Sequence, residues 1–342
     1  MKLLPHSNGL YKVNMKEKLK PKELIKKTLS ILIFLLLIGF IYQTISNFIA
    51  KETLKERVDY TRVNSKRVDF RLEGEGDFTI IFDGNIGTNL NQWNEICEKL
   101  QSDYGDVYTF TYNRRGYGFS DSGEALTPEE QAVELRSLLK KAGAPSPYIL
   151  VGEEYGSLVL TEFAKKYNDL VSGVVLVNPI VEDVVNTKEY KKSTLLKRMR
   201  LSIEKYGSYV GFTKLLDELN LEISMDEFEE KLSEEDLKEF KVHRTKSSYT
   251  TAVNNEYKNL VENKINIQSE GVLSGKPYYL IANESQEQLA KLGDEDLTKL
   301  YTINNKYKIY SMEQADRVIT GIRHVIKKAK EIERIKKANN FS

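Results

Sequence analysis

"YILVGEEYGSLVLTEFAKKY", residues 148–167, is the stretch on which the fold turns. Tyr148 to Val151 is a short apolar run of the kind found in a buried strand. Gly152 and Gly156 bracket a turn. Leu158, Leu160, Phe163 and Ala164 then recur at helical spacing. The order is strand, G-x-x-x-G turn, helix, and the residue at the centre of the turn is Glu154.

The flanking segments repeat this alternation. "FTIIF" (78–82) reads as a buried strand that runs into the Gly/Asn-rich loop "DGNIGTNLNQW" and the amphipathic helix "LNQWNEICEKLQ". "DVYTFTYN" (106–113) is a further strand. In "LTPEEQAVELRSLLKKAG" (126–143), Thr127 is an N-cap, Pro128 opens the helix, Glu130 completes a capping box and Gly143 ends it. "GVVLV" (173–177) is the strand after the turn. "DYTRVNSKRVDFRL" (59–72) alternates about Asn64-Ser65 and predicts a hairpin. Strands alternating with helices imply a mostly parallel, doubly covered sheet with right-handed crossovers.

Between about Glu182 and Ser274 the strands stop. "TLLKRMRLSIEKYG", "FTKLLDELN", "SMDEFEEKLSEEDLKEF" and "SYTTAVNNEYKNLVEN" are all helical in pattern, and Ser233 with Asp236 forms a second capping motif. This is an insertion. The expected organisation is an α/β core over residues 57–183 and 275–338, with a helical cap over 184–274. The sheet is expected to resume at "KPYYLIAN" (276–283) and "KYKIY" (306–310). A final helix carries the apolar stripe Val318, Ile322, Val325 and Ile326.

The N-terminus is of another kind. Eight lysines precede residue 28, against Glu17 and Glu23, and residues 29–50, "LSILIFLLLIGFIYQTISNFIA", carry no charge. At 1.5 Å per residue that run spans a bilayer core of about 30 Å. The lysines orient residues 1–28 to the cytoplasm and the remainder outside. Phe48 and Ala50 fit a cleavage site poorly, so the segment reads as an uncleaved signal anchor, with the membrane as its partner.

Composition excludes several classes. The 342 residues carry 51 Lys and Arg against 50 Asp and Glu, a net charge of +1 that gives no basis for nucleic-acid binding. Cys97 is the single cysteine, so an intrachain disulfide and a cysteine metal cluster are both ruled out. Its helical spacing from Trp93 makes it a small core residue. HExxH, GxxxxGK[ST] and acidic metal-loop motifs are absent, and neither a metal nor a cofactor is implied.

In this order the blocks "DGNIGTNLNQW" (83–93), "YNRRGYGFSD" (112–121), "LVGEEYGS" (150–157), "NPIVED" (178–183) and "IYSMEQADRVITGIRHVI" (309–326) resemble the α/β-hydrolase superfamily, more narrowly its bacterial membrane-anchored members. The resemblance spans roughly residues 57–335 and implies an α/β-hydrolase fold with a helical cap. It also implies a serine nucleophile at the elbow, a histidine base after the last strand and an acid to orient it. This chain departs from the pattern at each of those places. The elbow position is Glu154, preceded by Glu153. The resemblance places the histidine at Lys308, with Lys306 or Tyr310 as its neighbours in the alignment. Asn178, Asn283 and Glu284 stand where the acid is sought. Of the three histidines, His6 precedes the anchor, His324 is expected in a surface or packing role in the last helix, and His243 on a solvated cap helix.

A glutamate in the elbow has two readings. The favoured one is a catalytically degenerate hydrolase, a pseudoenzyme whose cleft binds a small ligand or a partner protein. Asn85, Ile86, Glu153 and Tyr155 are then the ligand-binding candidates, and Glu154 and Lys308 the vestigial nucleophile and histidine positions, expected to form an ion pair across the cleft. The alternative is an active hydrolase of unorthodox mechanism, acting on an ester or amide through Glu154.

Overall fold

The computed structural model describes residues 21–53, 58–219, 221, 225–262, 266–304 and 307–340. His6 and Lys306 lie outside them. A long helix, α1 (Pro21–Thr53), precedes the hairpin β1 (Asp59–Val63) and β2 (Lys66–Glu75). The Asn64-Ser65 turn has φ of 50° and 63° at its two residues. That pair of positive φ values gives the twist a two-residue hairpin needs. There follow β3 (Thr79–Asp83), a 3₁₀ turn (Leu90–Trp93) leading into α2 (Asn94–Tyr104), β4 (Val107–Tyr112), α3 (Pro128–Ala142), β5 (Tyr148–Glu153), α4 (Tyr155–Lys166) and β6 (Val171–Val177). The cap comprises α5 (Glu182–Val185), α6 (Lys188–Gly207), α7 (Phe212–Glu218), α8 (Asp226–Glu229), α9 (Glu234–Arg244) and α10 (Ser247–Glu262). Then come β7 (Tyr278–Ala282), a 3₁₀ segment (Glu284–Leu292), β8 (Thr298–Thr302), α11 (Tyr310–Glu313) and α12 (Ala315–Asn340).

The sheet order is β1-β2-β4-β3-β5-β6-β7-β8. β2 runs antiparallel to β1 and β4, and β3 to β8 are parallel. The expected last strand at 306–310 is corrected. β8 is "TKLYT", which pairs with β7 from Tyr278↔Thr298 to Ala282↔Thr302, while Tyr310 opens a helix. Both stretches alternate in a similar way. Pairing with β7, which lies outside either stretch, selects the earlier one.

Local signals set the helix ends. Thr127 and Glu130 form both bonds of a capping box, Pro128 is the first residue of α3, and Gly143 closes it in the left-handed region. Ser233 caps α9 through the Asp236 N–H, which splits one expected helix into α8 and α9. One face of the sheet packs on α3 and α4, with Leu135, Leu139 and Phe163 at its centre. The other packs on α2 and α12, with Trp93, Cys97, Val318 and Ile322. Cys97 is a buried core residue, and burial pushes its thiol up to about 12. A third apolar cluster joins the cap to the core through Tyr155, Leu158, Tyr249 and Val253.

The parallel strands end together. Register pairs Asp83 with Gly152 and Glu153 with Val177, so the loops after β3, β5 and β6 meet at one edge of the sheet. In open parallel sheets that edge is where ligands bind.

Candidate functional site

The turn after β5 is close to the sheet. A Cβ on Gly156 would lie 2.2 Å from the Asp83 carbonyl oxygen, and one on Gly152 would lie 2.9 Å from the Gly156 carbonyl oxygen. These contacts explain the G-x-x-x-G spacing: α4 starts directly over β3 and β5, and only glycine fits at the two crossings. Between them Glu154 has φ 48° and ψ −110°, a sterically costly backbone for a residue with a side chain. Surrounding bonds hold it there. Its N–H donates to the Val177 carbonyl at 3.3 Å, and its own carbonyl accepts from Ser157 N at 3.2 Å and Ser157 Oγ at 2.5 Å.

The Glu154 side chain folds back toward the sheet edge. Its Oε2 accepts the backbone N–H of Ile86 at 2.8 Å and that of Tyr155 at 3.0 Å. One donor is on the residue after the elbow and the other on the loop after β3. In elbow hydrolases those two N–H groups form the oxyanion hole. Their usual partner is the negative oxygen of a tetrahedral intermediate, and here it is a carboxylate oxygen of the protein itself. The contact depends on side-chain length, since a serine hydroxyl at the same Cα is two heavy atoms shorter. Burial pushes the Glu154 carboxyl above its ordinary range, against the opposing pull of the Ile86 and Tyr155 N–H groups and of Arg114.

Arg114 holds the loop in this position. Its Nε donates to Glu256 Oε1 at 2.7 Å and its Nη2 to Glu256 Oε2 at 3.3 Å and the Asn85 carbonyl at 2.8 Å. Its Nη1 donates to Asp83 and, at 3.0 Å, to the Gly84 carbonyl. All five guanidinium N–H groups are therefore used. Tyr117 adds a bond to Glu256 at 2.6 Å and receives the Gly87 N–H at 3.1 Å. Glu256 belongs to α10, so one buried network ties the cap to the loop that carries Ile86. Tyr249 to the Gly87 carbonyl (2.7 Å) and Asn259 to the Leu126 carbonyl (2.6 Å) reinforce that attachment.

Glu153 lies beneath the elbow and is fully buried. Its oxygens accept from Tyr310 N at 2.5 Å, Ser311 N at 3.1 Å and Gln92 Nε2 at 2.9 Å. Gln92 also donates to Asn85 Oδ1 at 3.0 Å. Burial raises the Glu153 carboxyl to about 7, and the charge of Glu154 adds to the rise. Of the ligand-binding candidates, Ile86 and Tyr155 thus meet at Glu154. Asn85 and Glu153 meet through Gln92.

Two expectations are corrected. Lys308 does not reach Glu154: its side chain is exposed, its N–H donates to Glu227 at 2.7 Å and its carbonyl accepts from Asn85 at 3.0 Å. Moving the alignment by two positions does not rescue the pair, because Tyr310 is buried with its N–H on Glu153. Glu154 instead meets backbone donors that lie nearer than any side-chain cation. His243 is not solvated. It is 4% exposed, packed edge-on to Phe119 with ring centres 4.4 Å apart, because α9 lies against the loop that follows β4. Burial and the neighbouring Lys246 lower it to about 3, so it is neutral. His324 packs beside Tyr279 at the surface of α12. Among the described residues, neither histidine contacts Glu154.

A small cleft of about 40 Å³ lies between Ile86 and Gly87 on one side and Leu201, Met225, Tyr249 and Tyr257 of the cap on the other. The residues that sequence reasoning missed are Arg114, Asp83, Gln92 and Glu256. Arg114 stands in "YNRRGYGFSD", a block singled out for its likeness to the family and not for its charged side chains. Glu256 sits in a helical insertion with no local mark of its role.

A family model described as "alpha/beta hydrolase fold" matches residues 80–310. "Uncharacterized protein YqjL" of Bacillus subtilis (strain 168) is 32% identical over 152 residues, 43% of this chain and 57% of that protein. The chain thus spans little more than half the length of this relative. Similar solved structures include the Cif epoxide hydrolase from Acinetobacter nosocomialis, with TM-score 0.63, 12% identity and coverage of 84% of this chain and 96% of that one. A thermophilic esterase from Thermogutta terrifontis matches with TM-score 0.58, 17% identity and coverage of 80% and 99%. At these identities the likeness is one of fold.

Proposed function

The chain belongs to the α/β-hydrolase fold family, and we propose that it is a catalytically degenerate member, held at a membrane by α1, whose cleft binds a small ligand or a partner protein. The observation that carries this reading is the Glu154 carboxylate on the Ile86 and Tyr155 N–H groups. A site in that state offers a substrate no nucleophilic hydroxyl, and its two oxyanion donors are already taken. The alternative, ester formation through Glu154, would use Oε1 as the nucleophile while Oε2 stays on those donors. A second step then needs a base to activate water, and no histidine contacts Glu154 among the described residues.

Membrane attachment is supported by the apolar stretch Pro21–Ile45, whose most apolar window has no residue buried inside the protein. We read it as an uncleaved anchor with the lysine-rich end in the cytoplasm and the hydrolase-like domain outside. Protease added to intact protoplasts then digests the domain, and protection of the domain rejects the orientation. The catalytic half of the proposal is tested by a fluorophosphonate probe and short p-nitrophenyl esters applied to the full chain. Neither labelling nor turnover is expected. Turnover abolished by Glu154→Gln would establish the alternative.

A further inference from the structure

Helix α6 has two different faces. Leu201 and Glu204 on one side line the cleft over Ile86 and Gly87. On the other side Leu196, Met199, Ile203 and Tyr206 follow one another at i, i+3, i+7 and i+10, and all four are at least 58% exposed. That is a continuous apolar stripe, and nothing covers it among the described residues. Leu215 of α7 and Leu219 just after it are exposed as well. Contiguous exposed apolar surface of this kind marks an interaction site. The polar part of α6 is basic: Lys188, Lys191, Lys192, Lys197, Arg198, Arg200 and Lys205 against Glu189 and Glu204. An apolar stripe beside a Lys/Arg-rich face is the pattern of a helix that lies in a membrane interface and meets anionic head groups.

A second observation places the cap against the anchor. The anchor touches the cap at the α6–α7 junction. A Cβ on Gly39 would lie 2.0 Å from the Val210 carbonyl oxygen, so the helix approaches this turn as closely as backbone allows. Tyr42 Oη donates to Glu218 Oε1 at 3.1 Å, and the Lys214 ammonium lies 4.9 Å over the Tyr42 ring. Gly39 lies inside both the uncharged run 29–50 and the apolar stretch Pro21–Ile45, so a cap that touches α1 there is held against the membrane-spanning part of the helix.

We propose that the α6–α7 face of the cap is seated in the bilayer leaflet on the domain's side of the membrane, with its lysines at the lipid phosphates. This rests on the reading of α1 as a membrane anchor. The opposite face of α6 roofs the cleft, so a ligand class that follows is an amphiphile dissolved in that leaflet. The occupant is lipid, not a second copy of the chain.

The test uses the full chain in vesicles of mixed zwitterionic and anionic phospholipid. Met199→Cys and, separately, Phe34→Cys are labelled with an environment-sensitive fluorophore. Cys97 is buried and its thiol is pushed up to about 12, so it stays unlabelled. Lipids carrying a doxyl quencher near the head group are then added. Loss of fluorescence from both labels supports the proposal. Quenching at Phe34 alone, with the Met199 label in water, overturns it and leaves the anchor intact. A Met199 label that is shielded from water but not quenched by lipid also overturns it, in favour of self-association. If neither label is quenched, the anchor reading fails and the proposal fails with it.

Discussion

The backbone N–H of Ile86 points at Oε2 of Glu154 from 2.8 Å, although the two residues are 68 positions apart in the chain. This contact determines what the elbow can do, because it fills with a protein carboxylate the position where an acyl-transfer enzyme stabilises a negative oxygen.

Removing that carboxylate should leave two donors without an acceptor. Glu154→Ala is expected to lose roughly 1–3 kcal/mol for each stranded N–H that water does not reach. Formate, small enough to take the vacated place, should then stabilise the variant in urea denaturation more than it stabilises the parent. Equal responses to formate would show that the carboxylate does not hold these groups.

Restoring the nucleophile alone should not restore hydrolysis. Glu154→Ser places a hydroxyl in the elbow and frees the oxyanion donors, but supplies no base to deprotonate it. His243, the histidine in the cap, is neutral and engaged with Phe119 and Lys246. The variant is expected to remain unlabelled by a fluorophosphonate. Efficient labelling would reveal a base among residues assigned here to structure.

Lys308 should be nearly silent. Its side chain is exposed, and such surface positions usually change stability by no more than about 0.5 kcal/mol. Lys308→Met and Glu154→Gln are expected to add within about 0.5 kcal/mol in a double-mutant cycle. A coupling well above that would show the two charges meeting in solution.

Arg114 should not be silent. Arg114→Met strands the buried carboxylates of Asp83 and Glu256 and releases the Gly84 and Asn85 carbonyls. Breaking a buried pair from one side typically costs about 3–5 kcal/mol. Because Glu256 is on α10, proteolysis of the cap should quicken as well. Arg114→Lys should recover only part, since an ammonium cannot make the five-bond fork. A fully stable Arg114→Met protein would show that the network contributes no stability.

Glu153 should give stability a pH dependence. Burial raises its carboxyl from the ordinary 4.5 to about 7, so over that interval the folded protein keeps a proton that the unfolded chain releases. Stability from this group is therefore lost as pH rises from about 4.5 to about 7, and the loss is complete above that window. At about 1.4 kcal/mol per unit the whole effect is at most about 3.5 kcal/mol. Glu153→Gln has nothing to titrate, so the unfolding free energy of the parent should fall relative to it across that range. A constant difference between the two would place Glu153 ionised throughout.

Features that depend on neighbours in sequence were legible before any coordinates. The Asn64-Ser65 hairpin, the Thr127–Glu130 cap, the Val318 to Ile326 stripe and the G-x-x-x-G elbow each rest on residues a few positions apart, where turn chemistry and periodicity act directly. The mostly parallel, doubly covered sheet and the run of helices between β6 and β7 followed from placing those elements in sequence; the strand order came from the structure. The tertiary structure alone decided where charged side chains end. The sequence offers Glu154 a lysine 154 positions away and says nothing of an N–H on the loop after β3. Backbone donors carry no residue letter, so the partner that won could not be seen. His243 and Glu256 sit on helices whose own patterns leave their burial open, and only the packing of the cap on the core puts one against Phe119 and the other on Arg114. β8 was misplaced for the same reason: two short alternating stretches are equal in isolation, and hydrogen bonding to β7 distinguishes them.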